Sequence, residues 1–355
     1  MKRKTGRGGD KETRRGGDRA SLQHSNTPSL HHSITPLPCP ILIITLMALT
    51  SCTIKQPIPA RGLPDFKNTS SYCVYYGNWT PELVSQAATF DLVILHPKSN
   101  LTRAMVKKMQ AGGALVVGYL SVGEDDTLHT SEATGGVSGA DGKHANWYYY
   151  KDGKPVKNGE WGSYFTRASN AHWRKALKTY RNEGKQGWYG YDYILNDLGC
   201  DGLFLDTLDT HAPKEWGMYG DIEGMANLIA EIKTNIGRKH LVLNRGLYFW
   251  ESYYTSDEIM ARVRSSASAV MFENYIEEDD LAEWEGRLRA QYQKPDGFSV
   301  ITLDYKTAKT DEICARAIKK QGWSAYIADV QLSDKIRMEA REWVKRVKPE
   351  EVSNP

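Results

Sequence analysis

Eight short apolar runs constrain this chain more than any other feature. They lie at 72–76, 92–95, 115–120, 202–205, 241–243, 270–272, 300–303 and 324–327. In Gly202-Leu203-Phe204-Leu205 the apolar residues do not alternate with polar ones, the pattern of a strand covered on both faces. Amphipathic stretches separate the runs and predict helices at 81–87, 103–110, 222–236, 280–293, 311–320 and 333–347. Eight strands alternating with helices over about 280 residues are what a (β/α)8 TIM barrel requires, in the α/β class. A doubly wound sheet usually has fewer strands and opens on a glycine-rich phosphate turn, and no GxGxxG follows the first run.

The N-terminal region reads differently. Residues 21–36 repeat an eight-residue unit, SLQHSNTP then SLHHSITP, which no packed core requires. The apolar segment 41–49 is too short to span a bilayer and suits the core of a signal peptide. It ends in Leu49-Thr50-Ser51-Cys52, which resembles a bacterial lipobox. The expectation is a leader and lipoprotein signal peptide over 1–51, a lipidated Cys52 with a flexible linker over 52–71, and one (β/α)8 domain over 72–350. The mature protein would then sit in the bacterial cell envelope, held to a membrane through its lipid anchor.

Composition narrows the partners. The formal charge is +3, but residues 1–36 hold eight Lys/Arg against three Asp/Glu, so the remainder sits near −2. Nucleic-acid binding loses its electrostatic support. Beyond the leader, Cys73, Cys200 and Cys314 form an odd set that excludes a full disulfide framework. No paired CxxC or HExxH spacing is present, so neither a metal nor any other cofactor is expected.

In a barrel the chemistry sits at the C-terminal strand ends. Those ends carry Tyr76 and Trp79, His96, Ser121 and Glu124, Asp206 and Asp209, Asn244 and Arg245, Glu273 and Tyr275, Asp304 and Tyr305, and Asp329. Asp201, by contrast, belongs to the turn before the fourth run, at the opposite face. A ring of carboxylates, amides and aromatic side chains suits a sugar, whose hydrolysis needs two carboxyl groups flanking one bond. About 80 residues separate the third run from the fourth, and this insert holds Trp147-Tyr148-Tyr149-Tyr150, a turn at Asp152-Gly153-Lys154 and the stretch 161–165. The insert from 125 to 170 is expected over the C-terminal mouth, lining the substrate cleft with aromatic side chains.

YYGNW at 75–79, GYLSVGE at 118–124, DGLFLDTLD at 201–209, LNRG at 243–246, FENY at 272–275 and LDY at 303–305 together resemble glycoside hydrolase family 114, the endo-α-1,4-polygalactosaminidase-like family. The resemblance covers roughly 72–347. It implies a (β/α)8 barrel that cleaves α-1,4-linked galactosamine-containing polysaccharide with retention. Asp206 matches the family's nucleophile and Glu273 its general acid/base. Tyr76, Trp79, Ser121, Glu124, Asp209, Asn244, Arg245, Tyr275, Asp304 and Tyr305 are then expected to bind substrate. Two alternatives use the same residues: a catalytically inactive, lipid-anchored glycan-binding barrel, and a metal-dependent enzyme ligating through Asp206, Asp209 and Glu273.

Overall fold

The structure is a computed structural model that describes residues 66, 69–97, 100–179, 190–305 and 307–346. Eight parallel strands follow one another around a nearly closed barrel in chain order. They are β1 (Tyr72–Tyr75), β2 (Leu92–Leu95), β3 (Leu115–Ser121), β4 (Gly202–Asp206), β5 (His240–Asn244), β6 (Ala269–Glu273), β7 (Ser299–Asp304) and β8 (Ser324–Ile327). Each apolar run becomes a strand because helices cover one side and the barrel interior the other. Residues of β1 and β2 are buried without exception. The seam between β8 and β1 is held by the Tyr72 and Tyr326 rings, 5.6 Å apart. The Tyr72 hydroxyl also donates to the Thr302 carbonyl.

The outer layer contains α1 (Pro81–Ala87), α2 (Arg103–Ala111), α3 (Ala171–Thr179), α4 (Ile222–Ile236), α5 (Asp257–Ser266), α6 (Leu281–Tyr292), α7 (Thr310–Ile313) and α8 (Ala340–Arg346). Local chemistry starts several of them. Thr80, Thr102 and Ser256 accept from the backbone N–H groups of Leu83, Met105 and Ile259, leaving fewer orphan donors in the first turns of α1, α2 and α5. The last helix is shorter than the periodicity of 333–347 predicts. The Asp329 carboxylate instead captures the Ser333 and Asp334 N–H groups, so that segment turns before α8 begins.

The linker expected over 52–71 also ends earlier. Phe66 is buried against the His240 ring, 5.7 Å away. Ser70 and Ser71 donate backbone and hydroxyl groups to Asp91 Oδ2. The leader, its repeat and Cys52 lie outside the described residues.

The insert leaves the barrel at Glu124. Glu124–Asp125 pairs antiparallel with Tyr164–Phe165, and Tyr150–Lys151 pairs with Lys154–Pro155. Between the latter, Asp152 and Gly153 both have positive φ, 50° and 71°, which a tight two-residue hairpin turn of this hand requires. Trp147 and Tyr148 do not line a cleft as expected. Both are buried: Trp147 packs 5.5 Å from Trp173 of α3, and the Tyr148 hydroxyl donates to Asp125 Oδ2 at 2.7 Å. A segment this long must bury a core of its own, and its adjacent aromatics supply it.

The insert is tied to the loops that follow β3 and β4. Thr166 N–H donates to the Gly123 carbonyl at 2.9 Å, and Ala168 N–H to His211 Nε2 at 3.0 Å. Tyr149 stacks on Tyr219 with centroids 3.7 Å apart. Gly123 permits the crossing, because a Cβ there would lie 2.1 Å from the Thr207 carbonyl oxygen.

Candidate active site

The last inward residues of β4, β5 and β6 are Asp206, Asn244 and Glu273. After each, the chain turns on a residue in the left-handed region: Thr207 (φ 62°), Arg245 (φ 56°) and Asn274 (φ 58°). A short 3-10 turn follows in each case. For β-branched Thr207 this backbone is costly and must be held by its surroundings. Its hydroxyl accepts from Gly123 N–H at 2.8 Å and lies 2.9 Å from Ser121 Oγ. Three repeated sharp turns end three adjacent strands at one level, so their terminal side chains converge.

Asn244 Nδ2 donates to Asp206 Oδ1 at 2.7 Å and to Glu273 Oε2 at 2.5 Å. Because one nitrogen serves both, those two oxygens lie at most 5.2 Å apart, the two bonds laid end to end. The remaining oxygens are also engaged. Tyr119 donates to Asp206 Oδ2 at 2.9 Å, and Tyr305 donates to Glu273 Oε1. Tyr76 and His96 complete an aromatic floor: Tyr76 meets the His96 and Tyr119 rings edge-on at 5.5 and 5.3 Å, and His96 stacks on Tyr119 at 4.8 Å.

Burial raises the pKa of both carboxyls. For Asp206 it is opposed by hydrogen bonds from Asn244, Thr207 and Tyr119. For Glu273, the Asp206 charge adds to burial, against Tyr305, Asn244 and Arg245. Two carboxyls this close and this buried disfavour being ionised together, so the pair as a whole holds on to a proton more strongly than either acid would in water.

The other expected site residues divide. Arg245 braces the ring from behind: Nε donates to Asp209 Oδ2 at 2.8 Å, while Nη1 donates to the Glu273 carbonyl at 2.8 Å and pairs with Glu278 at 2.9 Å. Asp209 also accepts from Gly246 N–H at 3.1 Å, so both residues hold the loops around the pocket. Ser121 lies beside Asp206 in register, but its hydroxyl donates to the Glu124 carbonyl at 2.7 Å.

Glu124 is engaged by the insert and by the loop after β4. It is 7% exposed, and its oxygens accept from Asn158, Ser163 and Thr210, making it a joint between insert and barrel. Asp304 is likewise engaged. The β6–β7 register pairs Glu273 with Leu303, so Asp304 has the opposite parity and Tyr305 the parity of Glu273. Asp304 Oδ1 accepts from Ile276 N–H at 2.9 Å and braces the turn after Glu273, its pKa raised to about 6 mainly by burial.

Trp79 and Tyr275 point into packing. Trp79 is buried edge-on against Tyr75, with centroids 4.9 Å apart. The chain reverses at Asn274, and the Tyr275 hydroxyl donates to Glu285 of α6 at 2.5 Å. Asp201 lies at the N-terminal end of β4 as expected, where Oδ2 accepts from Val116 N–H at 2.9 Å. Tyr119 is the residue that strand-end reasoning misses. It lies two positions before Ser121 on the same face of β3, so its parity was the available signal.

Paired carboxyls at the C-terminal mouth of a (β/α)8 barrel, on a floor of aromatic rings, define a glycoside-hydrolase type of protein. The model of glycoside-hydrolase family GH114 matches residues 60–346, and the chain belongs to that family. The glycoside hydrolase domain of PelA from Pseudomonas aeruginosa is 22% identical with a TM-score of 0.51, covering 75% of this chain and 97% of that one. A variant of the same domain is 23% identical with a TM-score of 0.52 over the same shares. No curated protein matches the chain.

Proposed function

We propose that this glycoside hydrolase cleaves α-1,4-linked galactosamine-containing polysaccharide by an endo-acting, retaining mechanism. The observation that carries the stereochemistry is the shared Asn244 donor, which keeps the facing carboxyl oxygens within 5.2 Å. Retention needs a separation of about 5–5.5 Å, whereas inversion leaves room for water at about 6.5–9.5 Å. Family membership supports the substrate class.

In this reading Asp206 attacks the anomeric carbon as the glycosidic C–O bond breaks, and Glu273 gives its proton to the leaving oxygen. Glu273, now ionised, takes a proton from water as that water displaces Asp206 from the sugar. Tyr119 and Asn244 hold Asp206 in place while Tyr305 and Asn244 hold Glu273, so neither carboxyl must be reoriented during the reaction.

The test is digestion of galactosaminogalactan, its deacetylated form and a neutral α-glucan. Product size and the anomeric configuration at early times are then read. A ladder of α-configured oligosaccharides is expected from an amino-sugar polymer. Release of β-configured products would overturn retention, and single sugars alone would overturn endo action. Asp206→Asn should lower turnover by at least about 10³-fold, the scale of losing an essential group.

The same reading places the protein in the cell envelope through lipidated Cys52. The supporting feature is the apolar segment 41–49 followed by Leu49-Thr50-Ser51-Cys52. Cys52→Ala should release the protein from membranes or stall its processing; unchanged membrane fractionation would remove the anchor from the proposal.

A further inference from the structure

Outside the catalytic ring, the loops that follow β4 and β5 and the start of α6 place several aromatic rings together. Trp216 meets Tyr254 edge-on at 5.5 Å and Trp284 at 6.2 Å, and Tyr253 meets Tyr254 at 4.8 Å. Trp216 Nε1 donates to the Tyr254 hydroxyl at 3.2 Å. Arg287 lies over the Trp284 ring at 4.5 Å and pairs with Glu251 and Glu283. Despite these contacts Trp216 remains 41% exposed and Tyr253 82% exposed.

Single exposed aromatic residues need no explanation, but a contiguous set locked in orientation by edge contacts does. Trp284 is half-buried against the core, whereas Trp216 and Tyr253 lie outside it. Buried Tyr248 lies beneath Trp216, and its own hydroxyl is spent on the Leu208 carbonyl at 3.1 Å. Rings fixed in this way, with carboxylates beside them, suit a sugar chain: apolar faces for C–H groups, and acceptors for hydroxyl or ammonium groups.

The position identifies the occupant. Trp216 follows Asp206 and Asp209 on the same connection, Tyr253 and Tyr254 follow Asn244 and Arg245, and Trp284 follows Glu273. Arg245 ties the three connections together through Asp209, the Glu273 carbonyl and Glu278. We infer that Trp216, Tyr253, Tyr254 and Trp284 form a distal subsite that binds sugar units of the substrate polymer several residues away from the cleavage point. This inference rests on the glycan reading of the catalytic pair and adds a second, non-catalytic hold on the same chain. Two holds raise the effective concentration of a long chain at the carboxyls and do nothing for a chain too short to reach both.

Affinity electrophoresis through gels containing galactosaminogalactan, its deacetylated form or a neutral α-glucan tests the subsite, with Trp216→Ala/Tyr253→Ala compared with the unaltered protein. Cleavage of the same polymers and of their short oligosaccharides is followed alongside, and matching melting temperatures check the fold. The expected result is retardation by an amino-sugar polymer that the variant loses at least tenfold in Kd, with turnover of short oligosaccharides unchanged. Retardation lost in the variant supports the subsite even if the polymer is not cut, and the catalytic reading then fails alone. Turnover of a polymer with retardation equal in both proteins overturns the subsite and leaves the catalytic reading standing. Absence of retardation by every polymer overturns it as well.

Discussion

Two aromatic groups flank the catalytic ring, and they use similar residues to opposite ends. In the insert, Trp147 and Tyr148 are buried, with the Tyr148 hydroxyl engaged by Asp125 and the Thr127 carbonyl. In the group at Trp216, Trp216 and Tyr253 touch neighbouring rings and stay exposed, while Trp284 is half-buried beneath Arg287. The difference lies in what each segment must achieve. An 80-residue excursion has to bury a core to be ordered at all, whereas the Trp216 loop rests on a barrel that already has one. Aromatic clustering along a sequence therefore does not distinguish a core from a binding surface; what lies beneath the rings does.

The comparison is most sharply broken by Trp147→Ala. Removing a fully buried tryptophan that touches Trp173, Tyr148 and His129 should cost about 3–5 kcal/mol. Urea unfolding measures it, and a loss below about 1 kcal/mol would mean the insert has no core of its own.

Next comes the joint between insert and barrel. Burial lowers the His211 pKa from 6.5 to about 4, and its Nε2 accepts the Ala168 N–H only when unprotonated. A lowered histidine pKa gives stability that is fully present above 6.5 and is lost as pH falls towards 4, by up to about 3 kcal/mol. Comparing urea midpoints at pH 7 and 4.5, His211→Gln should show a flatter dependence than the unaltered protein. An equal slope would assign the acid loss to other groups.

Asn244→Ala should act on turnover more than on stability, since it removes the donor shared by both carboxyls. A drop of about 10²-fold in kcat is expected, with the pH profile displaced because both acids lose a bond that favours their ionised forms. An unmoved pH profile would reduce Asn244 to packing. Smallest is Trp216→Ala, whose effect on stability should stay within about 1 kcal/mol because the ring covers little core. A loss comparable to that of Trp147→Ala would erase the distinction between the two groups.

Much of the fold is legible in the sequence. Eight largely apolar runs read as eight strands because a strand covered on both faces is apolar at most positions rather than at alternate ones. Asp206 and Glu273 stood out because each ends such a run, where a carboxylate contributes nothing to burial. The Asp152-Gly153 turn was equally local, since two successive positive φ angles favour those residue types.

Partner choice between distant segments was not legible. Asp304 and Tyr305 are adjacent and both polar, yet only the register of β7 against β6 sends Tyr305 to Glu273 and Asp304 to Ile276 N–H. Glu124 looked like a third carboxylate of the ring until Asn158 and Ser163, more than thirty residues on, occupied it. Sequence determines periodicity and turn chemistry because these act between neighbours along the chain. The placing of Asn244 between the two acids, and of one aromatic group inside and the other outside, depends on strand register and on which loops meet across the barrel mouth, so only the tertiary structure decides it.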